Sequence, residues 1–165
     1  MSTRTNVFAG IPSINRTLYH RIRFSVGDPI AIIESNGETT VILRDIDMER
    51  ARQAERIQHV HCPADFAPPE GLSGDRETAT AQALAQCLVE RNISSVTVDR
   101  SLPMSFVDQL QQRKVQLQYD PLLGVSERRA KDAQEIEWLR EAQAITARTM
   151  TRACELVANA DAATD

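Results

Sequence analysis

Apolar and polar positions follow two different periods along the chain, and the changes of period mark its elements. Asn6-Val-Phe-Ala-Gly10 is a short apolar run closed by Gly10 and Pro12, which predicts a strand. Asn15 to Phe24 mixes apolar and basic residues without clean periodicity and reads as an irregular connection. Gly27-Asp28-Pro29 is turn chemistry, because Pro presets φ and Asp tolerates turn geometry. The clearest local signal comes next: Ile30 to Ser35, then Asn36-Gly37, then Glu38 to Leu43. Asn-Gly accepts the two positive φ values of a type I′ turn, so a two-residue hairpin is predicted, with Ser35 opposite Glu38, Ile33 opposite Thr40 and Ile32 opposite Val41. Both arms are continuously apolar, which predicts strands covered by helices on both faces.

Downstream, Asp45 to Glu55 suits a short helix with acids near its start, where they complement the macrodipole. Ile57 to His61 reads as a short strand, and the Pro- and Gly-rich stretch from Pro63 to Gly74 as a loop. A helix is predicted from about Asp75 to Arg91, with Ala81, Leu84 and Leu88 at helical spacing and Cys87 beside them. Ser95 to Asp99 alternates as a strand, Pro103 to Lys114 is a helix with Pro in its first turn, and Val115 to Tyr119 is another strand. This alternation implies βαβ units and a largely parallel sheet, to which the hairpin adds one antiparallel pair; the fold class is α/β with a mixed sheet.

Asp132 opens a long final helix. Asp132-Ala-Gln-Glu135 has the capping-box form, and no Gly or Pro interrupts the chain from there to Asn159. Ile136, Gln143, Met150 and Val157 recur every seven residues, as do Leu139, Thr146 and Ala153, with a partial second stripe through Trp138, Ala142 and Ile145. The stripe is half polar, which argues against a self-sufficient coiled coil. At 1.5 Å per residue the helix would be roughly 40 Å long, against about 30 Å for a small domain, so its end is expected to overhang and to need a cover. From this we expect the natural protein to continue beyond Asp165, or the helix to self-associate through the band near Trp138, Ile145 and Met150.

Composition narrows the function classes. The 165 residues carry 19 Lys+Arg against 23 Asp+Glu, a net charge of −4, which argues against a protein that tracks nucleic-acid phosphates. No stretch reaches the ~18 apolar residues of a membrane helix, and the start has no apolar run of secretory length. Cys62, Cys87 and Cys154 are odd in number and unrelated in spacing, which fits a reducing, cytoplasmic compartment.

Several residue groups are candidates for chemistry. His59-Val-His61 places two imidazoles on one face of a strand, where Cys62 or Asp65 would complete a metal site, but the plainer reading is a strand end with a histidine paired to a carboxylate. Gly71-Leu-Ser73-Gly74-Asp75 superficially resembles a nucleophile elbow; it lacks the second Gly of the motif and reads as a loop feeding a helix N-terminus. Asp28, Asp45, Asp47 and Asp99 are candidate nuclease carboxylates whose default role is at turns and helix starts. Arg16, His20, Arg21 and Arg23 form a basic cluster suited to an acidic partner or a substrate carboxylate, or simply a solvated loop.

The stretch Arg128-Arg129-x-Lys131-x-x-x-Glu135-Ile136-x-x-Leu139-Arg140-x-Ala142 resembles the junction between the N-terminal and catalytic domains in the creatinase, prolidase and aminopeptidase P (pita-bread metallopeptidase) superfamily. The order of elements upstream agrees, including Asn15 to Tyr19 leading to Phe24; the resemblance covers about residues 6 to 160. Two departures stand out: the opening helix before the first strand is missing or very short, and Arg23 stands where many members carry Gly. The resemblance implies a three-layer α/β/α sandwich with a ribonuclease-H-like sheet over residues 1–127, followed by a linker helix over 128–165 that leads to a catalytic domain outside this chain. It further implies a homodimer, a role for this domain in subunit association and substrate gating, and a parent of Xaa-Pro peptidase type, or of creatinase type. In the parent peptidases two Asp, one His and two Glu of the other domain bind two divalent metals (Mn, Co or Zn). No residue here matches those ligands, so this chain is expected to hold no catalytic, cofactor or metal residue. The basic cluster is the first candidate for a border with a neighbour's active site. The alternative is a stand-alone protein-interaction module of the same fold.

Overall fold

A computed structural model of the chain describes residues 4–160. It divides into two compact units, residues 1–128 and 129–165. Within the first unit the chain runs β1 (Asn6–Gly10), α1 (Arg16–Ile22), β2 (Ile30–Ser35), β3 (Glu38–Ile42), α2 (Met48–Arg52), β4 (His59–His61), α3 (Arg76–Glu90), β5 (Ser95–Val98), α4 (Met104–Gln112) and β6 (Gln116–Tyr119), then α5 (Ser126–Arg129) at its end. The expectation about an opening helix falls largely on residues 1–3, which lie outside the described residues.

The strands form one six-stranded sheet in the order β4-β3-β2-β1-β5-β6. The hairpin has the predicted register, with Ser35 opposite Glu38, Ile33 opposite Thr40 and Ile32 opposite Val41. Asn36 and Gly37 take φ of 56° and 81°, the positive values a type I′ turn demands. β3–β4, β1–β5 and β5–β6 are parallel. The prediction of one antiparallel pair is corrected to two, because β1 also pairs antiparallel with β2, Asn6 opposite Glu34 through Gly10 opposite Ile30. The connection through α1 returns the chain to the end of β1 where it left, so the next strand must run back.

Two apolar layers lie on opposite faces of the sheet, because successive side chains of a strand point to opposite sides. Val7, Ala9, Ile33, Ile42, Val96 and Val98 pack with Leu84 and Leu88 of α3 and Phe106 and Leu110 of α4. Phe8, Ile30, Ile32 and Val41 pack with Leu18 and Ile22 of α1 and Ala51 of α2. Continuous apolar runs in β1 to β3 are thereby explained, and the α/β class with helices on both sides of a mixed sheet is as predicted. Cys87 of α3 is fully buried in the first layer, and burial pushes its thiol up to about 11.

The irregular connection predicted for Asn15 to Phe24 is instead the helix α1. Asn15 caps it, its side-chain oxygen accepting from the backbone N–H of Thr17 at 2.9 Å and of Leu18 at 3.4 Å. Leu18 and Ile22, one turn apart, form its buried stripe. Its basic positions hid that short periodicity. Arg23 ends the helix in the left-handed region, φ 61° and ψ 17°, and its N–H donates to Tyr19 O at 2.8 Å. This is the conformation glycine adopts at low cost. Arg23→Gly is therefore expected to stabilise the domain by about 0.5–1 kcal/mol, read as a raised urea midpoint with an unchanged slope.

Asp45 to Glu55, predicted as one short helix, is a 3-10 turn over Asp45–Asp47 running into α2. In the second unit, α6 (Ala133–Ala158) is a single helix of 26 residues with no buried residue. The predicted capping box is present: Asp132 Oδ1 accepts from Glu135 N at 2.8 Å, and Glu135 Oε2 accepts from Asp132 N at 3.1 Å. Trp138, Leu139, Ile145 and Met150 are all exposed along it.

Candidate functional site

The two histidines of β4 each take a carboxylate. His59 Nε2 lies 3.1 Å from Glu38 Oε2 on the neighbouring strand, and His61 Nδ1 lies 3.3 Å from Asp65 Oδ2. Asp65 also accepts from the Cys62 N–H at 3.0 Å and from the Cys62 thiol at 3.4 Å. The backbone bond from Cys62, helped by its thiol and by His61, holds the Asp65 carboxyl below its ordinary value. Thus the structure brings His61, Cys62 and Asp65 together as a small hydrogen-bonded cap on the 3-10 turn Pro63–Phe66, and gives His59 a separate partner. Among the described residues no group of three or more His, Cys, Asp and Glu stands ready to hold a metal ion.

The Gly71–Asp75 loop feeds α3 as its residues suggest. Asp75 caps that helix through Thr78 N at 2.8 Å, and Ser73 Oγ accepts from Asp75 N at 3.1 Å. The bond from the Thr78 N–H holds the Asp75 carboxyl below its ordinary value. The Ser73 N–H donates to Gln82 Oε1 at 2.8 Å, so the serine is tied into the start of α3 and not to a histidine.

The four aspartates take separate partners. Asp28 accepts from Arg44 and from Arg76, both at 2.8 Å. The Arg44 guanidinium, with Arg76 behind it, holds the Asp28 carboxyl below the usual 3.8. A depressed carboxylate contributes stability that is full above its unfolded value and lost as pH falls through the folded one. Asp28→Asn is therefore expected to be less stable than the parent at pH 7, with the difference closing below about pH 4 in acid-melting curves. Asp45 caps Ile46 N at 2.9 Å, and Asp47 pairs with Arg50 at 3.5 Å. Asp99 is buried where β5 ends; its Oδ2 accepts from Ser101 Oγ at 2.6 Å, and Ser101 Oγ in turn accepts from Asn15 Nδ2 at 2.8 Å. This chain of side chains, which joins the ends of β1 and β5, is absent from the sequence reading. The only sequence signal for it is that a polar residue follows each strand within a few positions.

The basic cluster is not a loop, and it is not uniformly available. The Arg21 side chain is nearly inaccessible: its guanidinium stacks on the Phe8 ring at 3.7 Å and pairs with Glu34 at 3.1 Å and Glu127 at 3.4 Å. It ties α1 to β2 and α5 and so is removed from the candidates for contacting a substrate or partner. Arg16 stands exposed at the start of α1.

A cavity of about 560 Å³ in the first unit is an open shelf on β5 and β6, lined by Arg4, Thr5, Ser95, Thr97, Gln118 and Asp120 among others. It lies on the sheet face that α1 and α2 cover over β1 to β3. Strands β5 and β6 turn polar residues to that face. Arg4 pairs with Asp120 at 2.6 Å across its floor, and this bond holds the Asp120 carboxyl below its ordinary value.

This sheet order with helices on both sides defines the class of fold, and it has solved counterparts. The chain superposes on X-Pro aminopeptidase from Thermotoga maritima MSB8 with a TM-score of 0.68 at 15% identity, covering 92% of this chain and 40% of that one. Prolidase from Pyrococcus horikoshii OT3 gives 0.65 at 17% identity, over 93% of this chain and 39% of that one. Aminopeptidase P from Streptococcus thermophilus gives 0.54 at 8% identity, over 77% of this chain and 86% of that one. No family model and no curated protein sequence matches the chain. The chain thus spans about 40% of the length of the first two peptidases, and the likeness is one of fold. At the level of fold, the resemblance to part of the prolidase and X-Pro aminopeptidase chains is borne out.

Proposed function

We propose that residues 1–127 are the non-catalytic N-terminal domain, and residues 128–165 the linker helix, of a larger protein of Xaa-Pro peptidase type. The observation that carries this reading is the match of nearly all of this chain to a minor part of the prolidase and X-Pro aminopeptidase chains. In this reading hydrolysis, and the two divalent metals that would support it, belong to a domain outside these 165 residues. The side chains described here do not fit such a metal pair: no suitable group of His, Cys, Asp and Glu occurs among them, and no step of the reaction is assigned to them. The domain's own contribution is association with a second subunit and restriction of what enters the neighbouring active site, with exposed Arg16 facing that entrance. The location is cytoplasmic. Among the described residues no helix is long and apolar enough to cross a membrane.

The exposed apolar residues of α6 support the same reading, since a helix with Trp138, Leu139, Ile145 and Met150 in water gains by being covered. The test begins with the reading frame beyond Asp165. A continuation bearing the five metal ligands, with Xaa-Pro peptide cleavage only when that domain is joined to this one, is the expected result. A frame that stops near Asp165 favours the stand-alone interaction module. Cleavage by the 165-residue chain itself with added Mn²⁺ or Zn²⁺, abolished in His59→Ala, overturns the assignment of chemistry elsewhere.

A further inference from the structure

The two edges of the sheet differ. β4 is three residues long, runs into Pro63 after Cys62, and carries His59 against Glu38 of β3, features that discourage further pairing. β6 is one residue longer and likewise runs into a proline, Pro121 after Asp120, but it carries no histidine or carboxylate of its own. From Val115 to Tyr119 it holds no charged residue, although the chain carries a net charge of −4. Gln116 N donates inward to Ser94 O at 2.8 Å and Asp120 N to Val98 O at 3.0 Å. By the two-residue period, Leu117 and Tyr119 turn their N–H and C=O groups outward, and among the described residues no strand lies beyond them.

We propose that the outer edge of β6 is a self-pairing surface, on which β6 of a second copy of this chain docks antiparallel about a two-fold axis at Gln118. The outward groups are self-complementary in this register. Leu117 faces Tyr119 of the second copy and Tyr119 faces its Leu117, so two hydrogen-bonded pairs form and close the symmetry. Gln118 then meets itself in a non-hydrogen-bonded position, where side chains lie closest, and two primary amides bond to each other without charge. The same register places Lys114 of each copy, which is exposed, on the flank of Asp120 of the other, an opposite-sign contact repeated twice. Tyr119, exposed in the single chain, gains cover from the facing Leu117. The polar shelf would continue from one copy into the next as part of a twelve-stranded sheet. A four-residue edge is small, so pairing in this chain alone is concentration-dependent and tightens when further domains add area. The inference deepens the association part of the function proposed above and rests on that part alone; it does not depend on whether a hydrolase domain follows.

The test uses charge at the axis. Gln118 is exposed, so Gln118→Lys and Gln118→Glu keep the fold, which circular dichroism checks. In sedimentation equilibrium of the 165-residue chain, each variant alone is expected to dissociate about tenfold more readily than the parent. An equimolar mixture of the two is expected to associate at least as tightly as the parent, because the axis now joins opposite charges. Hydrogen exchange is expected to slow at the Leu117 and Tyr119 amides with rising concentration. Association indifferent to the charge at 118 overturns the β6 edge while leaving the proposed function standing, since it places the contact elsewhere, for instance on α6. A monomer at every concentration, or slow exchange at Leu117 and Tyr119 only when an extended peptide is added, also overturns it.

Discussion

Replacing Gly124 by alanine is expected to destabilise the first unit by about 2–3 kcal/mol, a large share of the stability of a domain this size. Two effects add. Gly124 sits at φ +73°, where a Cβ is strained by roughly 1 kcal/mol, and that Cβ would lie 2.4 Å from Thr17 Cγ2. A threonine on a helix has only two favoured χ1 rotamers, so rotation gives limited relief. Thr17 is itself buried in α1, so the clash must be relieved by moving the helix or the turn. The prediction has an internal control. In the Thr17→Ser background the offending methyl is gone, and Gly124→Ala should then cost about 1 kcal/mol less than in the parent, a coupling that a double-mutant cycle in urea measures directly. Equal costs in the two backgrounds would show that the turn, and not the close approach, sets the requirement for glycine.

Arg21→Ala is expected to cost about 2–3 kcal/mol. The arginine is nearly inaccessible, stacks on Phe8 and neutralises Glu34 and Glu127, so truncation removes packing and leaves two carboxylates facing each other's field. The cost stays below that of a fully buried pair because Glu34 and Glu127 both reach water, at 28% and 42% exposure. Arg21→Met keeps an unbranched apolar stem over the Phe8 ring and should lose only about half as much. Arg21→Lys keeps the charge but not the planar fork, and should fall between the two. If all three variants lose the same stability, neither the stem nor the bare charge carries the effect, and the planar guanidinium between Phe8, Glu34 and Glu127 is the whole of it.

The features that were legible in the sequence are those whose cause is local. Asn36-Gly37 dictates its turn and, through it, the register of every pair between β2 and β3. Asp132 and Glu135 cap α6 through a contact three residues long. The plain reading of β4, a histidine paired to a carboxylate, is met by His61 and Asp65, four residues apart, while the partner of His59 is Glu38, 21 residues away and outside that reading. What stayed hidden depends on contacts distant in the chain. α1 spans seven residues, too few for a period to emerge when four of its positions are polar or basic, and only the Leu18–Ile22 pair behind Asn15 betrays it. The antiparallel pairing of β1 with β2 is a choice of sheet position that neither strand encodes. Arg21 reads as a surface cation because its composition is that of one; its burial follows from Glu34 and Glu127 arriving from 13 and 106 residues away. The chain from Asn15 through Ser101 to Asp99 likewise exists only once β1 and β5 are neighbours.

Cys87 gives the molecule an intrinsic reporter. Its sulfur is sealed beneath α3, and with a pKa of about 11 only about one thiol in a thousand would be thiolate at pH 8. Cys154 is exposed and Cys62 partly so. A thiol-reactive dye should therefore label two sites promptly and the third only when the helix lifts from the sheet. The lag between these phases measures how often that layer opens, with no engineered probe and no denaturant.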